Sequence, residues 1–333
     1  MKKAYLYCDS RSLNEATLFY VALVEDCLRE CDYDVIRVTK LSGINKPDLI
    51  FTITSIYYVK AKLKFPFVKT ISWRQGLGYQ EAKMTRPWWK WLPFALAEYI
   101  TVKTASALLL VSERMKEYYR NYWGYKKHNY VIMPCYNLRL TDNFDVRKYD
   151  TPTFVYAGGM NKWQSVDTIL DTYAEVEKRI PNTKLYLYCR DNESLRKELS
   201  SRGIINYEIN YVTVDQLQQE LIKYKYGFIL REKNWTNEVA TPTKMNSYLA
   251  AYLIPIFSDG VDDFKRNIHL GEFQLMTETP LDAKRAAAMI VDFESALHDY
   301  ASYKTIVENV FNSYYNDNTY KALIKGIILK YIG

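Results

Sequence analysis

The chain has 333 residues, of which 48% are hydrophobic and 25% charged, so it is long enough for two globular domains and too apolar to be disordered. Its five scattered cysteines form no CxxC pair, which argues against a disulfide framework and a zinc ribbon, and no apolar stretch is long enough for a signal peptide or a membrane span, so we expect a soluble, cytoplasmic protein. The net charge of +7 is concentrated in residues 1–150, which hold 24 basic and 15 acidic residues, and this favours a polyanionic partner such as a membrane surface, a lipid phosphate or a nucleic acid.

Short apolar runs alternate with helical patterns in the N-terminal half. Strands are predicted at residues 4–8, 33–38, 48–54, 67–72, 107–111 and 130–133. Helices are predicted at about 13–29, 88–104 and 113–122. This alternation is typical of a parallel sheet with helices on both faces.

The pattern pauses over the polar stretch 134–152 and then restarts. Strands are predicted at 154–158, 184–189, 205–209, 226–230 and 254–257, and helices at about 164–179, 192–201, 214–223 and from Pro242 onward. We therefore expect an α/β fold of two Rossmann-like, doubly wound domains, 1–140 and 150–305, followed by C-terminal helices over 306–333 that pack back on the first domain. Ligands of such sheets bind outside the carboxyl ends of the strands, so two facing domains predict a site in an interdomain cleft.

The first segment with chemical content reads FVYAGGMNKWQ and places Gly158 and Gly159 directly after a strand. Two glycines there allow the backbone to approach a bulky anion, and the following helix can offer free N–H groups to a phosphate. An ordinary turn would also explain the pair. The chain contains neither GxGxxG nor GxxxxGK[ST], which argues against a dinucleotide enzyme and a P-loop NTPase.

The second segment reads LREKNWTNEVATPTKMNSYLAAYLIPIFSD. Thr241 is a good N-cap, and the proline that follows it is favoured at the first helical position. The amides near Thr243 and Lys244 would then be free at a positively charged helix end, which suits a diphosphate. A capped helix with a solvated lysine is the alternative. Arg231 and Glu238 flank the loop and could hold a phosphate and a sugar hydroxyl.

Together, the two segments resemble the donor-binding domain of a GT-B glycosyltransferase from the large retaining family, glycosyltransferase family 4-like, that includes many bacterial capsule, O-antigen and exopolysaccharide enzymes. That family often reads LR, a short loop, VASPTK and EYLA, and this chain has LR at 230–231, VATPTK at 239–244 and SYLA at 247–250. YAGGMNKWQ is similar to the family's YxGxxxKWQ. RQGLGYQE (74–81) and LLLVSERM (108–115) resemble family segments more loosely.

The resemblance implies transfer of a sugar from a nucleotide-sugar to a glycan or polyprenyl-linked acceptor in bacterial surface polysaccharide synthesis. It implies retention at the anomeric carbon, no metal, and no cofactor besides the nucleotide-sugar co-substrate. The implied donor-binding residues are Gly158, Gly159, Lys162, Arg231, Thr241, Thr243, Lys244 and Ser247. The candidate catalytic residues are Arg74 and Glu81, in the loop after the fourth predicted strand, and Glu238. The residues that follow the first strand and would face the acceptor are Asp9, Ser10 and Arg11. Ordinary surface loop residues are the alternative for the positions in these two loops.

The chain departs from the family pattern at three positions. Ser247 stands where relatives usually have a carboxylate that binds the nucleotide ribose. The motif glutamate is expected near Val239, and Glu238 is one residue away. Gly159 occupies a position that is often basic, for which Lys162 could substitute from the next turn.

Metal-dependent chemistry has little support in the sequence. The one Asp-x-Asp begins at Asp32, at the start of a strand rather than at its carboxyl end, and a solvated turn explains it. The three histidines, His128, His269 and His298, lack HxxxH spacing and are far apart in the chain.

Residues 83–103 combine tryptophan with lysine and arginine, a combination that favours the headgroup zone of a membrane. The surrounding residues 60–127 hold 14 basic and 4 acidic side chains. We therefore expect a peripheral protein at the inner face of the cytoplasmic membrane, where a polyprenyl-linked acceptor would lie. The predicted contacts are Arg86, Trp88, Trp89, Lys90 and Trp91. An ordinary packed helix with buried tryptophans is the alternative.

Two other classes of function compete with an enzyme. One is a non-catalytic GT-B protein that binds nucleotide or glycan, which the loss of the carboxylate at Ser247 suggests. The other is an RNA-binding protein that uses the basic, aromatic half, but RNP, KH and helix-turn-helix signatures are missing, so we expect no nucleic-acid partner.

Overall fold

The structure is a computed structural model that describes residues 1–8, 13, 15–190 and 193–333, without the side chains of residues 15, 16, 214 and 215. The chain divides into two units. The first comprises Met1–Asn137, Glu238–Thr241 and Asn316–Gly333, and the second comprises Leu138–Asn237 and Pro242–Tyr315. Residues 306–315, which we predicted with the C-terminal helices, therefore lie with the second unit.

The first unit is built on one parallel sheet. Its strands are β1 (Lys2–Tyr7), β2 (Tyr33–Val38), β3 (Leu49–Thr52), β4 (Lys69–Arg74), β5 (Ala107–Leu110) and β6 (Tyr130–Ile132), in the order β2-β1-β3-β4-β5-β6. Its helices are α1 (Glu15–Glu30), α2 (Ser55–Lys64), α3 (Gly78–Thr85), α4 (Trp88–Thr104) and α5 (Glu113–Trp123).

The second unit repeats the plan. Its strands are β7 (Thr153–Ala157), β8 (Lys184–Tyr188), β9 (Tyr207–Asn210), β10 (Tyr226–Ile229), β11 (Ile254–Ser258) and β12 (Leu275–Thr277), in the parallel order β12-β11-β10-β7-β8-β9. The helices are α6 (Val166–Glu177), α7 (Glu193–Ser201), α8 (Val214–Leu221), α9 (Trp235–Glu238), α10 (Thr243–Ala250), α11 (Asp262–Asn267), α12 (Ala283–Glu294) and α13 (Tyr300–Ser313). The last helix, α14 (Asp317–Tyr331), packs on α1 in the first unit.

The strands form where the sequence has short runs of β-branched and aromatic residues, and β3, β5, β10 and β11 are buried along their whole length. Helix ends follow local chemistry. Ser112 caps α5 by accepting a hydrogen bond from the Met115 N–H, and Gly124 ends it in the left-handed region at φ 63°. The predicted α/β fold with two doubly wound sheets is confirmed.

The sequence analysis missed α2, α3, α9 and α11, which are short and rich in polar or charged residues, so their periodicity is weak. It also missed β12, which has only three residues. Neighbouring strands place the functional loops. Because β7 pairs directly with β10, the loops that follow these strands leave the same edge of the sheet side by side.

Among the described residues, no helix combines the length and the apolarity that crossing a bilayer requires.

Candidate anion-binding site in the second unit

Gly158, the first residue after β7, is placed where only glycine fits. Its φ is +147°, a conformation that side chains disfavour. A Cβ built on Gly158 would lie 2.5 Å from Lys244 Cε and 2.8 Å from Lys244 Nζ. The missing side chain thus leaves the space in which the lysine of α10 lies.

Lys244 reaches this space from the first turn of α10. Its Nζ donates a hydrogen bond of 2.8 Å to Gln164 Oε1 and lies 4.1 Å from the centroid of the Tyr156 ring. Burial, together with the positive charge of Arg231, holds the pKa of Lys244 well below its usual range. A negative charge placed here would therefore favour the ammonium form.

Arg231 is the second residue after β10 and is 5% exposed. Its Nη2 donates to Gln164 Oε1 at 2.9 Å, the oxygen that Lys244 also uses, and its Nη1 donates to Asn237 Oδ1 at 2.9 Å. The backbone is fixed as well, since the Arg231 N–H donates to Ser258 Oγ and this hydroxyl donates to the Arg231 carbonyl. The side chains of Arg231, after β10, and Lys244, in the first turn of α10, therefore converge on one neutral amide oxygen. This arrangement suits a ligand with several anionic oxygens.

The N-terminus of α10 differs from the prediction. The helix begins at Thr243, one residue later than expected, because Pro242 has a non-helical ψ of 127° and occupies the N-cap position without a side-chain cap bond. The prediction that Thr241 caps this helix was wrong. Thr241 belongs to the first unit, and its hydroxyl accepts a hydrogen bond from the Cys135 N–H. The Met245 N–H donates to the Pro242 carbonyl at 3.2 Å, so the N–H groups of Thr243 and Lys244 stay the predicted donors to an anion at this helix end.

The other predicted donor residues lie close in sequence to this cluster. The Gly159 carbonyl accepts the hydroxyl hydrogen of Tyr156. Lys162 is exposed in the single 3-10 turn Lys162–Gln164 that follows. Ser247 is buried, and its hydroxyl donates to the Thr243 carbonyl at 3.0 Å, so it is turned back onto its own helix.

Glu238 lies in the first unit, where its Oε1 accepts a hydrogen bond of 3.0 Å from Arg114 Nη2, and it is 8% exposed. The neighbouring Val239 carbonyl accepts a hydrogen bond from Ser112 Oγ at 2.7 Å. These bonds fix residues 238–241 to the first unit.

Arg74 and Glu81 lie together in the first unit, at the carboxyl end of β4. The Arg74 guanidinium is buried, lies 3.6 Å from Glu98 Oε2, and donates from Nε to the Tyr119 hydroxyl at 3.2 Å. A Cβ at Gly76 would lie 2.7 Å from Glu81 Oε1, so the Glu81 carboxylate lies directly over the turn after β4.

One nitrogen of this cluster has no hydrogen-bond partner. Arg74 Nη1 is buried and unsatisfied within the described part of the chain. Burial raises the pKa of Glu98, and this is opposed by the Arg74 charge and by a hydrogen bond from the Trp123 indole. Arg74 can thus donate one further hydrogen bond from Nη1 while the carboxylate of Glu98 balances its positive charge.

The remaining predictions concern the acceptor side, a metal site and the contacts with a membrane. Asp9, Ser10 and Arg11 lie outside the described residues. No group of three or more His, Cys, Asp or Glu side chains that could hold a metal ion occurs among the residues that are described. Trp88 and Trp89 are exposed on α4, with Arg86 and Lys90 also exposed, whereas Trp91 packs against Tyr79.

Sequence reasoning missed the residues that organise both clusters. Gln164 and Asn237 hold the cations of the second unit, and Glu98 and Tyr119 hold Arg74. Only Gln164 had a signal, because it ends the KWQ run that carries the resemblance. The other three come from helices whose partners are set by tertiary packing.

No protein-family model matches the sequence, and no curated protein matches it either. Several solved structures are similar to this chain. Sucrose-phosphate synthase from Thermosynechococcus elongatus is 12% identical, with a TM-score of 0.72 over 99% of this chain and 99% of that chain. HepE from Anabaena in complex with UDP and glucose is 11% identical, with a TM-score of 0.72 over 99% of this chain and 100% of that chain.

TarM from S. aureus, solved with fondaparinux, alpha-GlcNAc-glycerol and UDP, is 11% identical, with a TM-score of 0.63 over 86% of this chain. The present chain spans only 55% of the length of that TarM chain. These neighbours are GT-B glycosyltransferases. At such identities the likeness defines the fold alone, and the chain has the GT-B fold with two Rossmann-like domains.

Proposed function

We propose that this protein is a glycosyltransferase that binds a nucleoside-diphosphate sugar through its second unit. The observation that carries the proposal is the convergence of Arg231 and Lys244 on the single oxygen of Gln164, with the pKa of Lys244 depressed by burial and by Arg231. A bound diphosphate would offset the positive charge of Arg231, since its oxygens accept charge-assisted hydrogen bonds and its negative charge favours the ammonium form of Lys244.

The proposed chemistry follows from where charge develops. When the sugar leaves, the diphosphate gains negative charge, and fixed cations and helix N–H groups stabilise it without reorganisation. Arg231, Lys244 and the first turn of α10 would do this here. We propose a retaining transfer without a divalent ion, to a glycan or polyprenyl-linked acceptor in surface polysaccharide synthesis, in keeping with the motifs at 154–164 and 230–250.

Uridine nucleotides are the first donors to test, because structures similar to this chain were solved with UDP. UDP, GDP and dTDP should be compared by thermal shift, since a ligand that binds only the folded state raises the melting temperature. Lys244→Ala should weaken binding of the preferred nucleotide by about 10- to 150-fold, the loss of one charge-assisted hydrogen bond. Lys197→Ala, on an exposed lysine of α7, is the matched control. Unchanged nucleotide affinity in Lys244→Ala would refute the site.

Catalysis is tested separately from binding. The purified protein should release UDP from a UDP-sugar, by slow hydrolysis or by transfer to an added glycan, and treatment with EDTA should leave the rate unchanged. Loss of activity with EDTA and its recovery with Mn²⁺ would contradict a metal-independent reaction. Binding without either reaction would instead favour the non-catalytic alternative that the serine at position 247 suggests.

A further inference from the structure

One face of α4 is both apolar and exposed. Its residues keep between 43% and 63% of their surface accessible, and they are Trp88, Trp89, Leu92, Leu96 and Tyr99. At about 100° per residue these positions fall within an arc of about 100°. The opposite side of the helix is the buried one, with Ala95, Ala97, Glu98, Thr101 and Val102 packed inside the first unit. We call the exposed arc the tryptophan face.

The surroundings of the tryptophan face are basic. Between residues 82 and 112 the sequence has a single acidic residue, Glu98, and it is 1% exposed and paired with Arg74. The same stretch carries four basic residues, among them Arg86, whose guanidinium lies 5.0 Å from the Phe94 ring centroid. The segment therefore exposes cations and apolar rings together and has no exposed carboxylate.

This charge pattern decides between the possible occupants of the face. A second copy of the chain in a two-fold dimer would bring the same patch against itself, so basic groups would meet basic groups, and the segment 82–112 offers no exposed acidic residue to pair them. An anionic bilayer is complementary, because indole rings lie in the headgroup zone while lysine and arginine meet lipid phosphates.

We propose that the tryptophan face docks the protein on an anionic lipid bilayer, with α4 in the plane of the interface and Trp88 and Trp89 among the headgroups. This docking does not depend on the proposed transferase activity, because none of the residues of the face belongs to the cluster around Lys244. The lipid surface is recognised by its negative charge and its apolar interior rather than by one particular lipid.

The test is flotation of the full chain with vesicles of phosphatidylcholine alone and vesicles that also contain ~30% phosphatidylglycerol. The protein should float with the anionic vesicles, and raising the salt from ~50 mM to ~500 mM should weaken this, since screening shortens the reach of charges. Each basic residue near such a surface raises the partition coefficient onto the vesicles about fivefold. The triple variant Lys83→Ser, Arg86→Ser, Lys90→Ser should therefore bind on the order of 100-fold more weakly at low salt.

Trp88→Ser with Trp89→Ser should reduce flotation at least ~10-fold by removing the inserted rings. Its matched control is Ile205→Ser with Tyr211→Ser, since these second-unit residues are 79% and 70% exposed and removing them deletes comparable exposed apolar surface. Both double variants should keep the wild-type thermal unfolding profile.

Three results would overturn the proposal. The first is wild-type protein that does not float with anionic vesicles, or that floats equally well with neutral vesicles. The second is a tryptophan variant that floats like wild type. The third is a dimer, detected by light scattering during size-exclusion chromatography, that the tryptophan variant dissociates, because a second copy would then cover the face.

Discussion

Replacing Gly158 with alanine tests the central feature of the candidate site, the space that this glycine leaves for Lys244. The added Cβ would lie 2.5 Å from Lys244 Cε, far inside van der Waals contact, and the flexible end of the lysine side chain would have to move away. Its hydrogen bond to Gln164 Oε1 would then be lost, and so would its contact with a bound diphosphate. One charge-assisted hydrogen bond corresponds to about 1.5–3 kcal/mol, so UDP affinity should fall about 10- to 150-fold.

A double-mutant cycle separates this effect from simple backbone strain. In a Lys244→Ala background the new methyl group at position 158 has no lysine to displace, so Gly158→Ala should cost little further UDP affinity. The two changes should therefore be strongly non-additive, with a coupling energy of about 1.5 kcal/mol or more. Isothermal titration calorimetry of the wild type, both single variants and the double variant measures it.

The control is Gly203→Ala. Gly203 also has a positive φ, +69°, but a Cβ there meets no atom within 4 Å. This substitution should lower stability through strain and leave UDP affinity unchanged. If Gly158→Ala binds UDP like the wild type, or if its cost is the same with and without Lys244, the role assigned to this glycine is wrong.

Further predictions concern protonation and helix stability. Because a bound diphosphate should raise the lowered pKa of Lys244, UDP affinity should fall as the pH rises above the pKa of Lys244 in the free protein. Binding should then take up a proton, which calorimetry detects as a heat that depends on the buffer. UDP affinity that does not change with pH would argue against a phosphate at Lys244. Burial raises the pKa of Asp263 from 3.8 to about 6, so the folded state keeps a proton that the unfolded chain loses between these values, and the unfolding free energy should fall as the pH rises through this window. Asp263→Asn should remove that slope in denaturant titrations and raise stability at pH 8 by about 1–3 kcal/mol, an effect that should be absent near pH 4. Gly326, exposed within α14 with nothing within 4 Å of its Cβ position, should stabilise the protein by about 0.5–1 kcal/mol when changed to alanine, and a lower melting temperature would contradict this.

The sequence was sufficient for the fold because the fold depends on patterns that are local. Buried strands such as β5, which reads ALLL, and capped helices such as α5, with Ser112 before it and Gly124 after it, are specified within a few residues. Where a helix is short and lysine-rich, as in α2, or a strand has three residues, as in β12, local signal is too weak and packing decides.

The site was only partly predictable for a related reason. Gly158, Arg231 and Lys244 could be proposed because each follows a strand or begins a helix, positions that the chain order reveals. The role of Gln164 could not be predicted, although the KWQ motif contains this residue, because its partners Arg231 and Lys244 are 67 and 80 residues away in the sequence. The N-cap prediction failed at Thr241 because the Cys135 amide, more than 100 residues away, takes its hydroxyl.

The two predicted clusters differ in how their positive charge is balanced, and this difference fits the proposed reaction. Arg74 lies against the carboxylate of Glu98, with the Glu81 carboxylate nearby, so its positive charge is balanced and the cluster at the end of β4 suits hydrogen bonding to uncharged sugar hydroxyls. Lys244 instead lies near Arg231 and an amide oxygen, and its pKa is lowered by burial and, in addition, by the positive charge of Arg231. In a glycosyl transfer the acceptor hydroxyl is neutral, whereas the departing diphosphate gains charge. Closely placed basic side chains should therefore be on the diphosphate side, because only interactions that strengthen as charge develops accelerate the reaction.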